Sequence, residues 1–171
     1  TLPEIAGEKA GIIKPGVPVV SSPQKDGALD VLKKVSEENG CTFIQVGQDV
    51  KFELLSHSID GQMLQVSTPD LLNGAPEGRS RIVPEGGSTT SVNPPSTSLR
   101  SAQGGLTLAI PLLGEHQVEN AAVAYAALKT SGLEVLDEAI QKGFETAKWR
   151  GRFEIARKEP PVIFESAHNR D

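Results

Sequence analysis

Val17-Pro18-Val19-Val20, then Asp26-Gly27-Ala28-Leu29-Asp30-Val31-Leu32-Lys33-Lys34-Val35-Ser36-Glu37-Glu38-Asn39, then Thr42-Phe43-Ile44-Gln45-Val46 decide the fold class. The outer two pieces are short apolar runs and read as buried strands. The middle piece puts Leu29, Leu32 and Val35 on one helical face, and Asn39-Gly40 supplies a stop. Strand, helix and strand in that order predict a parallel sheet with a helical crossover, an α/β fold.

Upstream, residues 2–13 read as a short helix. Pro3 suits a first turn, Glu4 and Glu8 complement its positive end, and Gly11 and Pro15-Gly16 close it. Downstream, residues 51–58 and 62–67 form a hairpin on an Asp60-Gly61 turn. Residues 73–105 then change composition to Ser, Thr, Pro, Gly and Arg, as in Gly86-Gly87-Ser88-Thr89-Thr90. Such a stretch buries too little apolar surface to offset its ordering entropy, so it is expected to be a disordered surface insertion. A strand at 106–113 follows, then a helix at 116–131 with Val118, Ala121, Ala122, Tyr125 and Leu128 on one face and Gly132 at its end. A further helix is expected at 136–147, and two short strands at 153–156 and 162–164. The break at Gly151 places a domain boundary near Arg150, giving units 1–150 and 151–171.

Apolar residues make up 37% of the chain, enough for a core, and the net charge of −5 comes with scattered Lys and Arg. That distribution argues against nucleic-acid and membrane-surface binding. No apolar run approaches the roughly 20 residues of a membrane span, and no targeting pattern opens the chain. The sequence starts at Thr1 rather than Met and stops just after an apolar run, so both ends are expected to be cut from something longer. Cys41 has no second cysteine to pair with, which favours a reducing compartment; it reads as a small buried residue at a strand start.

Four segments gather polar residues in unusual settings. In Glu8-Lys9-Ala10-Gly11-Ile12-Ile13, a lysine sits among small apolar residues, where burial is costly unless the amine is paired or modified; a solvated helix lysine is the plain alternative. Gly114-Glu115-His116-Gln117-Val118-Glu119-Asn120 sets polar side chains at a helix N-terminus after a strand, the usual ligand edge of an α/β sheet, although capping alone would account for them. Trp149-Arg150-Gly151-Arg152-Phe153-Glu154 offers an arginine at the suspected hinge that could reach a phosphate bidentately, or simply lie on the surface. Phe164-Glu165-Ser166-Ala167-His168-Asn169 puts polar residues at the carboxyl end of a strand, or in an ordinary turn. The sequence holds no phosphate-binding glycine loop, no Cys/His metal spacing and no Ser–His–Asp pattern.

Taken in order, Ile5-Ala6-Gly7-Glu8-Lys9-Ala10-Gly11-Ile12, His116-Gln117-Val118-Glu119-Asn120-Ala121-Ala122, Gly151-Arg152-Phe153-Glu154 and Ala167-His168-Asn169 resemble the folylpolyglutamate synthase and dihydrofolate synthase family, relatives of the Mur ligases. The resemblance covers most of the chain outside 73–105. It implies an α/β fold made of the C-terminal part of a P-loop, Mur-ligase-like central domain followed by the first strands of a Rossmann-like domain. It implies ATP and Mg²⁺ as cofactors, and small-molecule substrates: dihydropteroate or folate, and L-glutamate. A monomer is expected, with no nucleic-acid or membrane partner, in the cytoplasm or, in a eukaryote, a mitochondrial or plastid matrix. The family's phosphate loop and its Mg²⁺-binding Ser and Glu would precede Thr1, so the chain alone is expected to be inactive.

Residue by residue, the resemblance implies that Lys9 is carried as a carbamate, an anionic oxygen ligand facing the metal and needed for catalysis. It implies that Asn120 meets the adenine end of ATP, that Arg152 reaches the phosphates, and that Glu165 stands where the family has an aspartate on the ribose. His168, as a catalytic and nucleotide-binding residue, and Asn169 match the turn beside it. Three positions depart from the family pattern: Glu165 is one methylene longer than Asp, Arg170 stands where a proline is usual, and so does Arg150. Two other readings compete: a Mur-type ligase of cell-wall precursors, and a noncatalytic interaction module.

Overall fold

The computed structural model describes residues 1–68 and 105–166. The expected insertion therefore lies outside the described residues apart from Gly105, as do His168 and Asn169.

The first helix, α1 (Leu2–Ala10), carries Pro3 and Glu4 in its first turn, as expected. It stops earlier than Ile13. Gly11 remains right-handed at φ −59°, while Ile12 and Ile13 donate to the Lys9 and Ala10 carbonyls at 3.3 and 3.0 Å. These three-residue bonds tighten the last turn into a short exit. Strand β1 (Val19–Ser21) pairs in parallel with β2 (Phe43–Gln45), Val20 opposite Ile44, and α2 (Asp26–Glu38) crosses between them. The strand–helix–strand expected of residues 17–46 is therefore present. The buried positions of α2 are Ala28 and Ser36, however, while Leu29, Leu32 and Val35 are half-buried. Cys41 is likewise half-buried, its thiol directed at the Lys14 carbonyl at 3.1 Å.

Beyond β2 the pairing turns antiparallel. Strands β3 (Lys51–Ser58), β4 (Gly61–Ser67) and β5 (Leu106–Ile110) form one sheet in that order. Among the described strands, parallel pairing is therefore confined to β1 and β2. A hairpin joined by Asp60-Gly61 can only pair antiparallel, and β5 follows suit. Gly61 has φ +146°, and a Cβ there would stand 2.6 Å from the Ile110 carbonyl oxygen, so the turn packs directly on the exit of β5. β5 ends at Ile110 rather than Leu113 because Pro111 has no N–H for the ladder.

Helix α3 (Glu115–Thr130) ties the two sheets together by packing on β1, β3 and β4, and α4 (Asp137–Glu145) lies against β5. Ala121, Ala122 and Ala126 let the α3 backbone approach closely, and Val118 and Tyr125 fill the space between them. These residues share one core with Ile44, Val46, Leu64, Val66, Leu106, Leu108, Ile110 and Ile140. Leu64 and Leu108 are fully buried, and each such side chain contributes about 1.5–3 kcal/mol. The chain closes with a small antiparallel pair, β6 (Glu154–Arg157) and β7 (Val162–Phe164). No helix among the described residues is long and apolar enough to cross a membrane.

Candidate functional site

The β5–α3 turn is built from the inside. The side chain of Gln62, on β4, is buried, and its Nε2 donates to the carbonyls of Leu112 at 2.9 Å and Gly114 at 3.0 Å. Both partners are acceptors, so the amide face toward them must be the NH₂ group. The Gly114 carbonyl also receives the Gln117 N–H at 3.0 Å, which starts α3. Gly114 has φ +104°, and a Cβ there would lie 2.7 Å from Cε1 of the His116 ring. A glycine is therefore demanded twice, by the backbone and by the imidazole folded against it. Gln117 is buried, and its Oε1 accepts from Asn120 Nδ2 at 3.3 Å, while Asn120 itself is exposed on the first turns of the helix.

The second candidate segment is the turn before β6. Gly151 is left-handed at φ +72°, and Phe153 is too, at φ +47°, a strained conformation for a bulky residue, costing of order 1–3 kcal/mol. Three side chains hold this turn. Glu165 Oε2 accepts the Phe153 N–H at 2.7 Å, Glu154 Oε2 accepts the Gly151 N–H at 2.9 Å, and Ser166 Oγ donates to the Gly151 carbonyl at 2.8 Å. The Ser166 N–H donates to the same carbonyl at 2.9 Å. Arg152 projects from the turn half-buried, its guanidinium 5.7 Å from the centroid of the Trp149 ring. A ring face under the cation restricts its swing without neutralising it.

The structure thus brings Arg152 and Glu165 together around one turn, and sets Asn120 at another. Lys9 belongs to neither. It is exposed in the last turn of α1, a helix packed on α2, so the burial argument drawn from its apolar neighbours does not apply. Among the described residues no three His, Cys, Asp or Glu side chains gather to hold a metal. Gln62 escaped the sequence reading entirely. A lone glutamine after a hairpin turn gives no periodic signal; only its place opposite Ile110, at the exit of β5, marks it.

No family model matches the chain. A dihydrofolate synthase/folylpolyglutamate synthase of Bacillus subtilis (strain 168) is 29% identical over 176 aligned positions, covering 100% of this chain and 33% of that protein. The crystal structure of a folylpolyglutamate synthase from Thermotoga maritima superposes with a TM-score of 0.74 at 27% identity, over 99% of this chain and 32% of that one. A Mycobacterium tuberculosis folylpolyglutamate synthase complexed with ADP gives a TM-score of 0.67 at 25% identity, over 98% of this chain and 32% of its own. The chain spans about a third of the length of the proteins it matches. These relatives and structural neighbours are folylpolyglutamate and dihydrofolate synthases, and the chain's sequence and mixed α/β fold are similar to a segment of them.

Proposed function

We propose that this chain supplies nucleotide-facing parts of an ATP-dependent acid–amino-acid ligase that joins L-glutamate to dihydropteroate or a folate. The observation that carries this reading is the coverage of the whole chain by ligases of that name, one of them complexed with ADP. In the proposed reaction a carboxylate oxygen of the pterin substrate attacks the γ-phosphorus of ATP, and ADP departs. The glutamate amine then attacks the acyl carbon of the resulting acyl phosphate; phosphate leaves, the amine loses a proton, and the amide remains. Charge concentrates on the phosphoryl group in flight, so preorganised cations supply most of the stabilisation.

In this reading Asn120 meets the adenine end, and Arg152, braced on Trp149, reaches the phosphates from the neighbouring unit 151–171. Glu165 faces the ribose with whatever acceptor capacity the Phe153 N–H leaves it; the resemblance gives His168 and Asn169 nucleotide-binding roles, His168 a catalytic one as well. Magnesium would shield the phosphates. Lys9 as a carbamate would supply it with an oxygen ligand. The enzyme acts as a monomer on small molecules.

The test is glutamate incorporation by the purified full-length protein, with dihydropteroate, folate and a cell-wall precursor supplied in parallel. ATP-dependent amide formation on a pterin substrate is expected; activity on the cell-wall precursor alone would overturn the reading. In the same assay Lys9→Arg should lose most activity, because Arg keeps the cation but takes up no carbon dioxide. Full activity in Lys9→Arg removes the carbamate and leaves the ligase standing.

A further inference from the structure

We infer that Gln62 is a positioning residue for nucleotide binding: its two hydrogen bonds fix the β5–α3 turn and, through it, the direction in which Asn120 is presented. The inference rests on the reading of Asn120 as the adenine-facing residue. Gln62 sits on the strand that follows the Asp60-Gly61 turn and is paired in the ladder with Ile110, the last residue of β5. From there its side chain reaches past the end of β5 to Leu112 and Gly114. Once Pro111 has ended the ladder, those two carbonyls have no strand partner to fix them, and the buried amide takes that role.

The consequence passes into α3 by a short path. The Gly114 carbonyl is the acceptor of the first α3 hydrogen bond, from the Gln117 N–H, and the Gln117 side chain in turn receives Asn120 Nδ2. Gln62, Gly114, Gln117 and Asn120 are therefore one chain of hydrogen bonds, running from a buried strand to an exposed amide. The Gly114 carbonyl therefore takes the Gln62 amide on one side and the opening of α3 on the other. Removing the Gln62 donors leaves the Leu112 and Gly114 carbonyls without their buried partner and loosens the entry to α3. The core beneath α3 stays, because Val118, Ala122 and Tyr125 hold the rest of the helix. What changes is the orientation of its first turn.

The experiment uses the full-length protein and Gln62→Met, which keeps the shape and removes both donors. The KM for ATP should rise about tenfold, while the KM for glutamate and kcat stay at wild-type values. Asn120→Ala should raise the KM for ATP similarly, and the double variant should add little further, since both act through one contact. A normal KM for ATP in Gln62→Met beside a raised one in Asn120→Ala overturns the inference and spares the nucleotide reading; a normal KM in Asn120→Ala overturns both. Gln62→Glu is a second handle should Gln62→Met fold poorly. A protonated carboxyl offers one O–H donor and an ionised one offers none, so the ratio of its KM for ATP to that of the wild type should fall as pH drops through the raised range of a buried acid. A ratio independent of pH contradicts the inference.

Discussion

The β5–α3 turn and the turn before β6 are held by similar numbers of hydrogen bonds but differ in where those bonds lie. In the first, the donor is a buried amide on a central strand, and the helix that follows is seated in the main core. In the second, the bonds come from the side chains of Glu154, Glu165 and Ser166 around a strained Phe153, and Phe164 and Trp149 lie exposed beside them. A polar clamp inside a packed core adds to stability and direction together. A polar clamp at the surface fixes direction alone, because water competes for each of its groups. The two candidate turns should therefore answer mutation differently: the first through folding and binding, the second through chemistry.

Truncating the core gives the largest effect. Leu108→Ala should lower unfolding free energy by about 2–5 kcal/mol in urea titrations, against less than about 1 kcal/mol for Ile163→Ala on the half-exposed β7. Equal losses would mean that the terminal strand pair is as well anchored as the core. Next comes Arg152→Ala, expected to cost roughly 2–4 kcal/mol of transition-state stabilisation in kcat/KM while the melting temperature holds. A lowered melting temperature with unchanged kinetics would return Arg152 to a structural role. The smallest effect concerns an ion pair between the β6–β7 turn and the β3–β4 turn, Lys158 with Asp60. Both side chains are mostly exposed, so Lys158→Ala should change stability by no more than about 1 kcal/mol, and less at high salt. A larger, salt-independent loss would show the terminal strand pair to be coupled to the β3–β4 hairpin more strongly than this pair allows.

Local patterning made much of this architecture legible. The strand–helix–strand at 17–46, the Asp60-Gly61 hairpin and the small-residue face of α3 were all readable because period and turn chemistry agree there. Element ends were less so: α1 stops short through three-residue bonds, and β5 stops at a proline inside an otherwise apolar run. The antiparallel pairing of β5 with β4 joins residues separated by the segment 69–104, and no local pattern reports a partner that distant. Among the site residues, Arg152 and Asn120 stood out through their motifs, and the structure sets each at a defined turn. The backing of those turns did not stand out. Gln62 supports Gly114 across 52 positions, and Glu165 holds Phe153 across 12; such contacts exist only once the chain is folded.

The central claim is that the Asn120 turn receives the base of a nucleotide and the Arg152 turn its phosphates. A structure of the full-length protein with a non-hydrolysable ATP analogue tests it most directly. The expected result has the adenine within hydrogen-bonding distance of the Asn120 amide and the Arg152 guanidinium on the phosphate oxygens, with the Gln62 bonds to Leu112 and Gly114 intact. A nucleotide bound where it touches neither Asn120 nor Arg152 would contradict the claim.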